Sequence, residues 1–501
     1  MHSHTPPDMC LEALKGANYA IISIDAGITC TNLADYRNVI RCCRKREIRL
    51  ARLVTKRNIF NSTPVLIISQ SRLSSVMGLV DCLNYLGEFG EWAAGRKPIN
   101  KNDDALRFGI LGAAAIAPQA LIIQARSHAD VIVVAVAARD RKKAEAYAKR
   151  WHVPIVHDSY EALINDPSVD CIYSPLPNGL HYKWTLAALK AGKHVLLEKP
   201  SVSNAQEARS LFHHPLFNAP NPPVLVEASH YRFHPAWHVF LAQFDRNLVK
   251  SVDATAGVPL GTFSGTDIRF DYNLAGGTAM DLGHYTLSSV RGVFGTEPVQ
   301  VESATPRLIP QPFDQRCDQA MKATYIFPNG GKGHMSADLG KRGGYWFPWL
   351  TSNWPNFEGL LSTLTVRLRP EGLEAQDGVD RSSQKTVVFW NFMVPHIWHR
   401  IDVTTTIKFL DPKTGQTLKQ EQTTDKLKAY TWPEGMGGES KGQDWWATYR
   451  YQLEEFVNKI KGREGSGAWV TGEESIKQME ATDRTYEKAG MLIRPTSEAL
   501  E

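Results

Sequence analysis

Cysteine is scarce in the body of this chain. Five of the seven (Cys10, Cys30, Cys42, Cys43 and Cys82) precede residue 83, leaving Cys171 and Cys317 for everything after it. An odd total with irregular spacing excludes a disulfide framework, and the lack of any C-x-x-C pair speaks against a structural zinc site. A reducing, cytoplasmic setting without a metal is the expectation. No run of 18 apolar residues occurs; the longest, Val131 to Ala137, has the length of a strand, so no membrane span is expected. An excess of one charge is also missing outside the N-terminus. Residues 1–76 carry 11 Lys and Arg against 5 Asp and Glu; with the whole chain at +5, the other 425 residues stand at −1. The body therefore offers no net basic surface to nucleic acid.

What is present is a globular composition: 501 residues, 43% apolar, with 48 aromatic side chains. That length implies two or three domains. The opening MHSHTPPDMCLEALK lacks a basic region followed by a continuous apolar one, so no secretory leader is expected. Nine basic residues lie between Arg37 and Arg57. Three readings stand for this extension: a targeting or nucleic-acid arm, a solvated disordered segment, which the composition favours, or a stretch preceding a true start at Met77. Leu79 to Ala94 reads as a helix, and Pro98 to Asp104 (PINKNDD) as a polar linker.

From Arg107 apolar strands alternate with amphipathic helices. RFGIL is followed by the turn GAAAIA and a helix from Pro118; VIVVAVA by the helix RKKAEAYAKRW; VDCIYS by LHYKWTLAALKAG and then HVLLE. Strands separated by 10–15-residue helices predict right-handed crossovers and a doubly wound parallel sheet. The turn after the first strand should cradle a phosphate, yet its three glycine slots read Gly112, Ala114 and Ala117, a weak fingerprint. The second strand ends in Ala138-Arg139-Asp140. A carboxylate at this tip suits the ribose 2′-hydroxyl of NAD, whereas Arg139, 27 residues past Gly112, is a planar donor suited to the 2′-phosphate of NADP. NADP is the expected cofactor.

Glu198-Lys199-Pro200 stands at the tip of the fifth strand, where open α/β sheets bind ligands. Upstream lies SPLPNGLHYKWTLAALKAGKHVLLEKP; downstream lie EASHYRFHPAW and AGGTAMDLGHYTLSSVRGVFG. Together these segments resemble the glucose–fructose oxidoreductase/inositol dehydrogenase (Gfo/Idh/MocA) family. The resemblance is closest to the branch holding fungal NADP-dependent D-xylose 1-dehydrogenases and mammalian dimeric dihydrodiol dehydrogenase, and it runs from about Leu106 to the C-terminus. It implies a Rossmann-type parallel sheet over residues 106–226, preceded by the extension (1–76) and a helix with linker (77–105). A C-terminal α+β domain over 227–501 would then carry a large, mostly antiparallel, open-faced sheet serving as a homodimer or higher oligomer interface. The sequence agrees, because after Glu227 short β-rich runs such as KATYIF, STLTVRLR, KTVVFW and DVTTTIKFL replace the alternation. In a late helix Trp446, Tyr449, Leu453, Phe456 and Ile460 share one face, read as core.

The resemblance places Lys199 and an acid/base residue of the second domain at the nicotinamide. Asp281 and Tyr285 in GGTAMDLGHY are four apart and share a helical face. Tyr285 is the expected general base or acid, with His284 the lesser candidate. The Lys199 ammonium would favour the phenolate and hydrogen-bond the reacting oxygen, and Asp281 would orient the lysine or a sugar hydroxyl. Asp281 read simply as a helix-start carboxylate is the alternative. Cofactor contacts fall to Gly112, Ala114, Ile116, Arg139, Pro175, Asn178, His181, Glu198 and Lys199, with Glu198 equally able to cap local backbone. Tyr231, Arg232 and His234 could touch a polyol, but a core tyrosine beside a surface arginine is nearly as good a reading. For GYWFPWLTSNWPNF (Gly344–Phe357) a subunit contact or core is favoured over sugar stacking.

Three functions remain open on this reading. The first is NADP-dependent oxidation of a cyclic sugar hydroxyl to a lactone, with D-xylose leading. The second keeps the fold and cofactor but takes a trans-dihydrodiol, dicarbonyl or specialised metabolite. The third is a dinucleotide sensor without catalysis.

Overall fold

The structure is a computed structural model that describes residues 99–500, apart from 377, 439 and 440. The basic extension and the helix expected over Leu79–Ala94 lie outside the described residues. Six parallel strands form the first sheet: Leu106–Leu111 (β1), Val131–Ala137 (β2), Ile155–His157 (β3), Cys171–Ser174 (β4), His194–Leu197 (β5) and Leu225–Glu227 (β6). Their order is 3-2-1-4-5-6, so the connections reverse direction between β1 and β4 and open a crevice at the carboxyl ends of those strands.

Local chemistry sets the crossovers. Asp140 caps the helix Arg141–Trp151 by accepting from the Lys143 N–H at 3.2 Å, and Asn204 caps Ala205–Phe212 from Glu207 at 3.0 Å. Alternating side chains bury both sheet faces. Phe108, Ile110, Tyr173 and Leu196 pack to one side, and Ala135, Ile172, Val195 and Leu197 to the other. The described part of the polar linker is strapped to this sheet's flank. The Ile99 N–H bonds Arg126 O at 3.2 Å, and Lys101 Nζ reaches the carbonyls of Ala125 (2.5 Å) and His128 (2.9 Å).

The second sheet has nine strands: Val249–Pro259 (β7), Gln300–Leu308 (β8), Asp318–Ile326 (β9), Lys332–Lys341 (β10), Thr363–Leu368 (β11), Glu371–Gln376 (β12), Val379–Trp390 (β13), Arg400–Leu410 (β14) and Thr417–Leu427 (β15). Eight of them run in the order 15-14-13-11-7-10-9-8, and β12 pairs β13. The β7–β10 pair is parallel; the other pairs are antiparallel. The helix Leu282–Phe294 lies across β7 and β10. Gly333 on β10 permits its close approach, since a Cβ there would stand 2.4 Å from Val290.

The last two helices tie the halves together. Thr448–Ile460 returns to the first sheet, where Leu453, Phe456 and Val457 join the core around Phe108 and Ile110 and Trp446, Tyr449 and Ile460 pack against it. Gly472–Lys488 packs against Ala205–Phe212, Leu282–Phe294 and β8. Segments distant in sequence thus brace the crevice. The aromatic stretch Gly344–Phe357 is not core. Trp346 is 95% and Trp349 80% exposed in the segment that follows β10. Among the described residues no helix is long and apolar enough to cross a membrane, and no group of three or more His, Cys, Asp or Glu side chains is placed to hold a metal. Cys171 and Cys317 are buried free thiols.

Candidate active site

The turn after β5 carries Lys199, joined to Pro200 by a cis peptide. The helix Leu282–Phe294 carries Tyr285 in its first turns and Asp281 at its N-cap. The two elements meet: Lys199 Nζ bonds Asp281 Oδ1 and lies over the Tyr285 ring, 4.7 Å from its centroid. At an N-cap an aspartate ordinarily accepts from the helix's own N–H groups. Asp281 makes no such bond. Its Oδ2 instead takes the Arg269 Nε at 2.8 Å, so one carboxylate holds two cations. Burial alone would raise its pKa, but Lys199 and Arg269 hold it well below the usual carboxylate range.

The expected phenolate is not what the structure favours. Burial pushes the Tyr285 hydroxyl well above its ordinary value, and Tyr449, Glu198, Asp281 and Tyr231 add to that effect. Lys199 does not outweigh them, because its charge is paired with Asp281 and it sits on the ring face rather than at the oxygen. Tyr285 therefore rests as a proton donor.

Around this trio the sequence-assigned residues divide. Gly112 has φ +98°, a Cβ there would meet Leu176 at 3.2 Å, and its N–H bonds Ala137 O at 2.7 Å. This is the tight turn a phosphate cradle needs, with the half-buried Ala114 and Ile116 following it. Arg139 and Asp140 both stand exposed past β2; the Asp140 carboxylate caps the following helix, and the Arg139 guanidinium offers a cation at that tip. Pro175 is buried at the end of β4, and Asn178 is half-buried with its Nδ2 on Ala275 O at 3.0 Å. Together these residues fit a dinucleotide that bears a 2′-phosphate.

Two assignments are corrected. His181 is fully buried, with Nδ1 at 2.8 Å from Pro200 O and Nε2 at 2.7 Å from Leu176 O. Burial pushes its pKa down to about 4 despite the two carbonyls, so the neutral ring donates to only one of them, and both nitrogens face backbone of the β4 and β5 loops rather than a cofactor. Glu198 takes its backbone-capping alternative. It accepts from Tyr173 Oη at 2.6 Å and from the Lys199 N–H at 3.2 Å, and burial raises its pKa.

His284 turns away from Tyr285, bonding Ser229 Oγ at 2.8 Å with Glu227 at 3.8 Å. Tyr231 is core, with its hydroxyl on Ser288 at 2.9 Å; Arg232 pairs with Glu474 at 2.6 Å, and His234 caps the helix Pro235–Leu241. Sequence reasoning missed His230, whose Nε2 is 2.9 Å from Tyr285 Oη, along with Arg269 and Tyr449, whose ring lies 4.2 Å from that of His230. His230 adjoins the singled-out Tyr231, a faint signal. The helical spacing of Tyr449 reads as core, and Arg269 gives no signal, since each arrives from a distant segment.

A Rossmann-type sheet beside an open mixed sheet, with a lysine–aspartate–tyrosine cluster at their junction, defines an oxidoreductase architecture. Family models agree with it. Residues 106–214 match the oxidoreductase family with NAD-binding Rossmann fold, and residues 249–358 match the GFO/IDH/MocA C-terminal domain. Trans-1,2-dihydrobenzene-1,2-diol dehydrogenase of Mus musculus is 32% identical over 240 residues, covering 47% of this chain and 69% of that one. D-xylose 1-dehydrogenase (NADP(+)) 2 of Haloferax volcanii is 39% identical over 203 residues, 40% of this chain, and the match spans only 60% of that enzyme. A 3-ketoreductase from Actinomadura kijaniata, solved with NADP and TDP-benzene, shares the fold at TM-score 0.56 and 19% identity, over 77% of this chain and 98% of that one. The chain belongs to the Gfo/Idh/MocA oxidoreductase family.

Proposed function

We propose that this protein is an NADP-dependent dehydrogenase that moves hydride between the nicotinamide and the CH–OH carbon of a cyclic sugar, D-xylose-like and giving a lactone. The carrying observation is the junction of Lys199, Asp281 and Tyr285 at the carboxyl end of β5. Gly112, Ala114, Ile116, Arg139, Pro175 and Asn178 would hold the cofactor, whose contribution when bound is to accept or deliver hydride. Lys199 hydrogen-bonds the reacting oxygen and stabilises negative charge on it. Asp281 pairs with the lysine ammonium and, itself held by Arg269, fixes its direction. Tyr285 gives its proton to that oxygen in reduction; in oxidation its phenolate, formed by loss of the proton to solvent as pH rises, takes the proton of the substrate hydroxyl. The mouse relative supports a second reading, oxidation of a trans-dihydrodiol by the same residues. A homodimer or larger assembly through the open face of the second sheet belongs to the same proposal.

The test is NADPH absorbance over a panel of pentoses, hexoses and dihydrodiols, with NAD in parallel. Turnover of a pentose with NADP supports the first reading and turnover of a diol the second. Tight NADPH binding with no turnover across the panel would overturn both and leave a dinucleotide sensor.

A further inference from the structure

Tyr285 alone makes an awkward acid, because giving up its proton leaves a phenolate buried beside Glu198 and Asp281. His230 addresses this difficulty. It lies in the 3-10 turn His230–Phe233 just past β6, 2% exposed, with Nε2 at 2.9 Å from Tyr285 Oη and its ring 4.2 Å from that of Tyr449. Its other nitrogen, Nδ1, is buried with no hydrogen-bond partner.

Two tautomers satisfy the contact. If the proton is on Nδ1, Tyr285 donates to Nε2, its proton is unavailable to a substrate, and a buried N–H is left unpaired. If the proton is on Nε2, histidine donates to Oη and the tyrosine O–H is free to turn to the reacting oxygen; once that oxygen accepts it, only the Nδ1 lone pair is left over. Orphaned buried N–H groups are rarer in proteins than under-satisfied acceptors, which favours the second arrangement. The charged and titratable groups around the imidazole are Lys199 from the β5 turn, His284 and Tyr285 from the helix Leu282–Phe294, His396 from the segment after β13, and Tyr449 from Thr448–Ile460. Burial, with His396, Lys199 and His284, keeps His230 neutral, so it carries a single ring proton.

We infer that His230 is the positioning residue of this site: its Nε2–H donates to Tyr285 Oη, aims the tyrosine proton at the reacting oxygen and stabilises the phenolate that remains. The inference rests on the proposed role of Tyr285. In reduction the Tyr285 O–H bond breaks, the new O–H forms on the substrate oxygen, and the negative charge stays on Oη, held by Nε2–H; the proton is regained from solvent after product leaves.

The test combines a tautomer measurement and a substitution series on the full chain with NADP. Ring-nitrogen chemical shifts of wild-type His230 should show Nε2 protonated and Nδ1 bare; a proton on Nδ1 overturns the inference without any variant. His230→Phe should lower kcat by about tenfold or more, leave NADPH affinity unchanged, and move the rising limb of the oxidation profile, set by loss of the Tyr285 proton, to higher pH. His230→Gln, which keeps a donor, should recover most of the rate. An unmoved pH limb in folded His230→Phe overturns the inference. If Tyr285→Phe keeps turnover, it is the proposed role of Tyr285 that fails.

Discussion

The two oxygens of Asp281 are divided between Lys199 Nζ on Oδ1 and Arg269 Nε on Oδ2. One carboxylate from the second half thereby anchors a lysine from the first and an arginine from the loop after β7. Substituting Asp281→Asn strips Lys199 of its carboxylate partner and leaves Arg269 with Asp267 alone, at 3.0 Å, in a largely buried site. The expected cost is about 3 kcal/mol or more in urea unfolding, with turnover reduced further than stability alone explains. The sign with pH is set by the depressed pKa. The carboxylate's contribution is fully present above the ordinary carboxylate range and is lost as pH falls below it towards the folded value.

Tyr285→Phe should lower kcat by about a hundred- to ten-thousandfold while leaving NADPH binding intact. Fluorescence titration of NADPH beside steady-state rates checks both halves. Retained turnover would remove tyrosine from the proton-transfer role.

Arg139→Ala should weaken NADPH binding by about tenfold or more and leave NADH affinity nearly unchanged, since the guanidinium has a dianion to meet only in NADPH. Parallel titrations with the two reduced cofactors decide it, and equal losses for both would contradict the assignment.

His181 is neutral in the fold, its pKa pushed down to about 4 by burial against an ordinary value of 6.5. The unfolded chain therefore takes up the proton first as pH falls. The stability His181 contributes should be complete above pH 6.5, decline between 6.5 and about 4, and change no further below. The stability difference between wild type and His181→Asn should shrink across that window; a difference independent of pH would refute the assignment.

Arg494 near the C-terminus is fully buried. It bonds Asp318 at 2.8 Å and the Gly276 carbonyl at 2.5 Å, and lies 3.8 Å over the Tyr486 ring. Asp318 also accepts from the Ala279 N–H at 2.8 Å, so the pair braces the turn leading to Asp281. Arg494→Ala should cost about 3–5 kcal/mol by leaving a buried carboxylate unpaired, read from the urea midpoint. A change within 1 kcal/mol would show that the turn stands without it.

Much of this protein is determined by short-range pattern. VIVVAVA reads as an apolar strand by its length and β-branched content, RKKAEAYAKRW behind Asp140 as a helix, and the two are observed at Val131–Ala137 and Arg141–Trp151. The four-residue spacing of Asp281 and Tyr285 likewise predicts a shared helical face, and the structure sets Tyr285 on the helix with Asp281 at its N-cap. Tertiary structure decided what those residues do. Whether Asp281 caps its helix or grips Lys199 depends on a lysine 82 residues away. Whether Tyr285 is acid or phenolate depends on burial and on carboxylates and rings from four segments. His181 and Glu198 look exposed to a ligand in one dimension, but folding closes them into backbone contacts. Spacing records neighbours within a turn or a strand. Desolvation and pairing depend on which distant elements arrive, and only the folded chain specifies that.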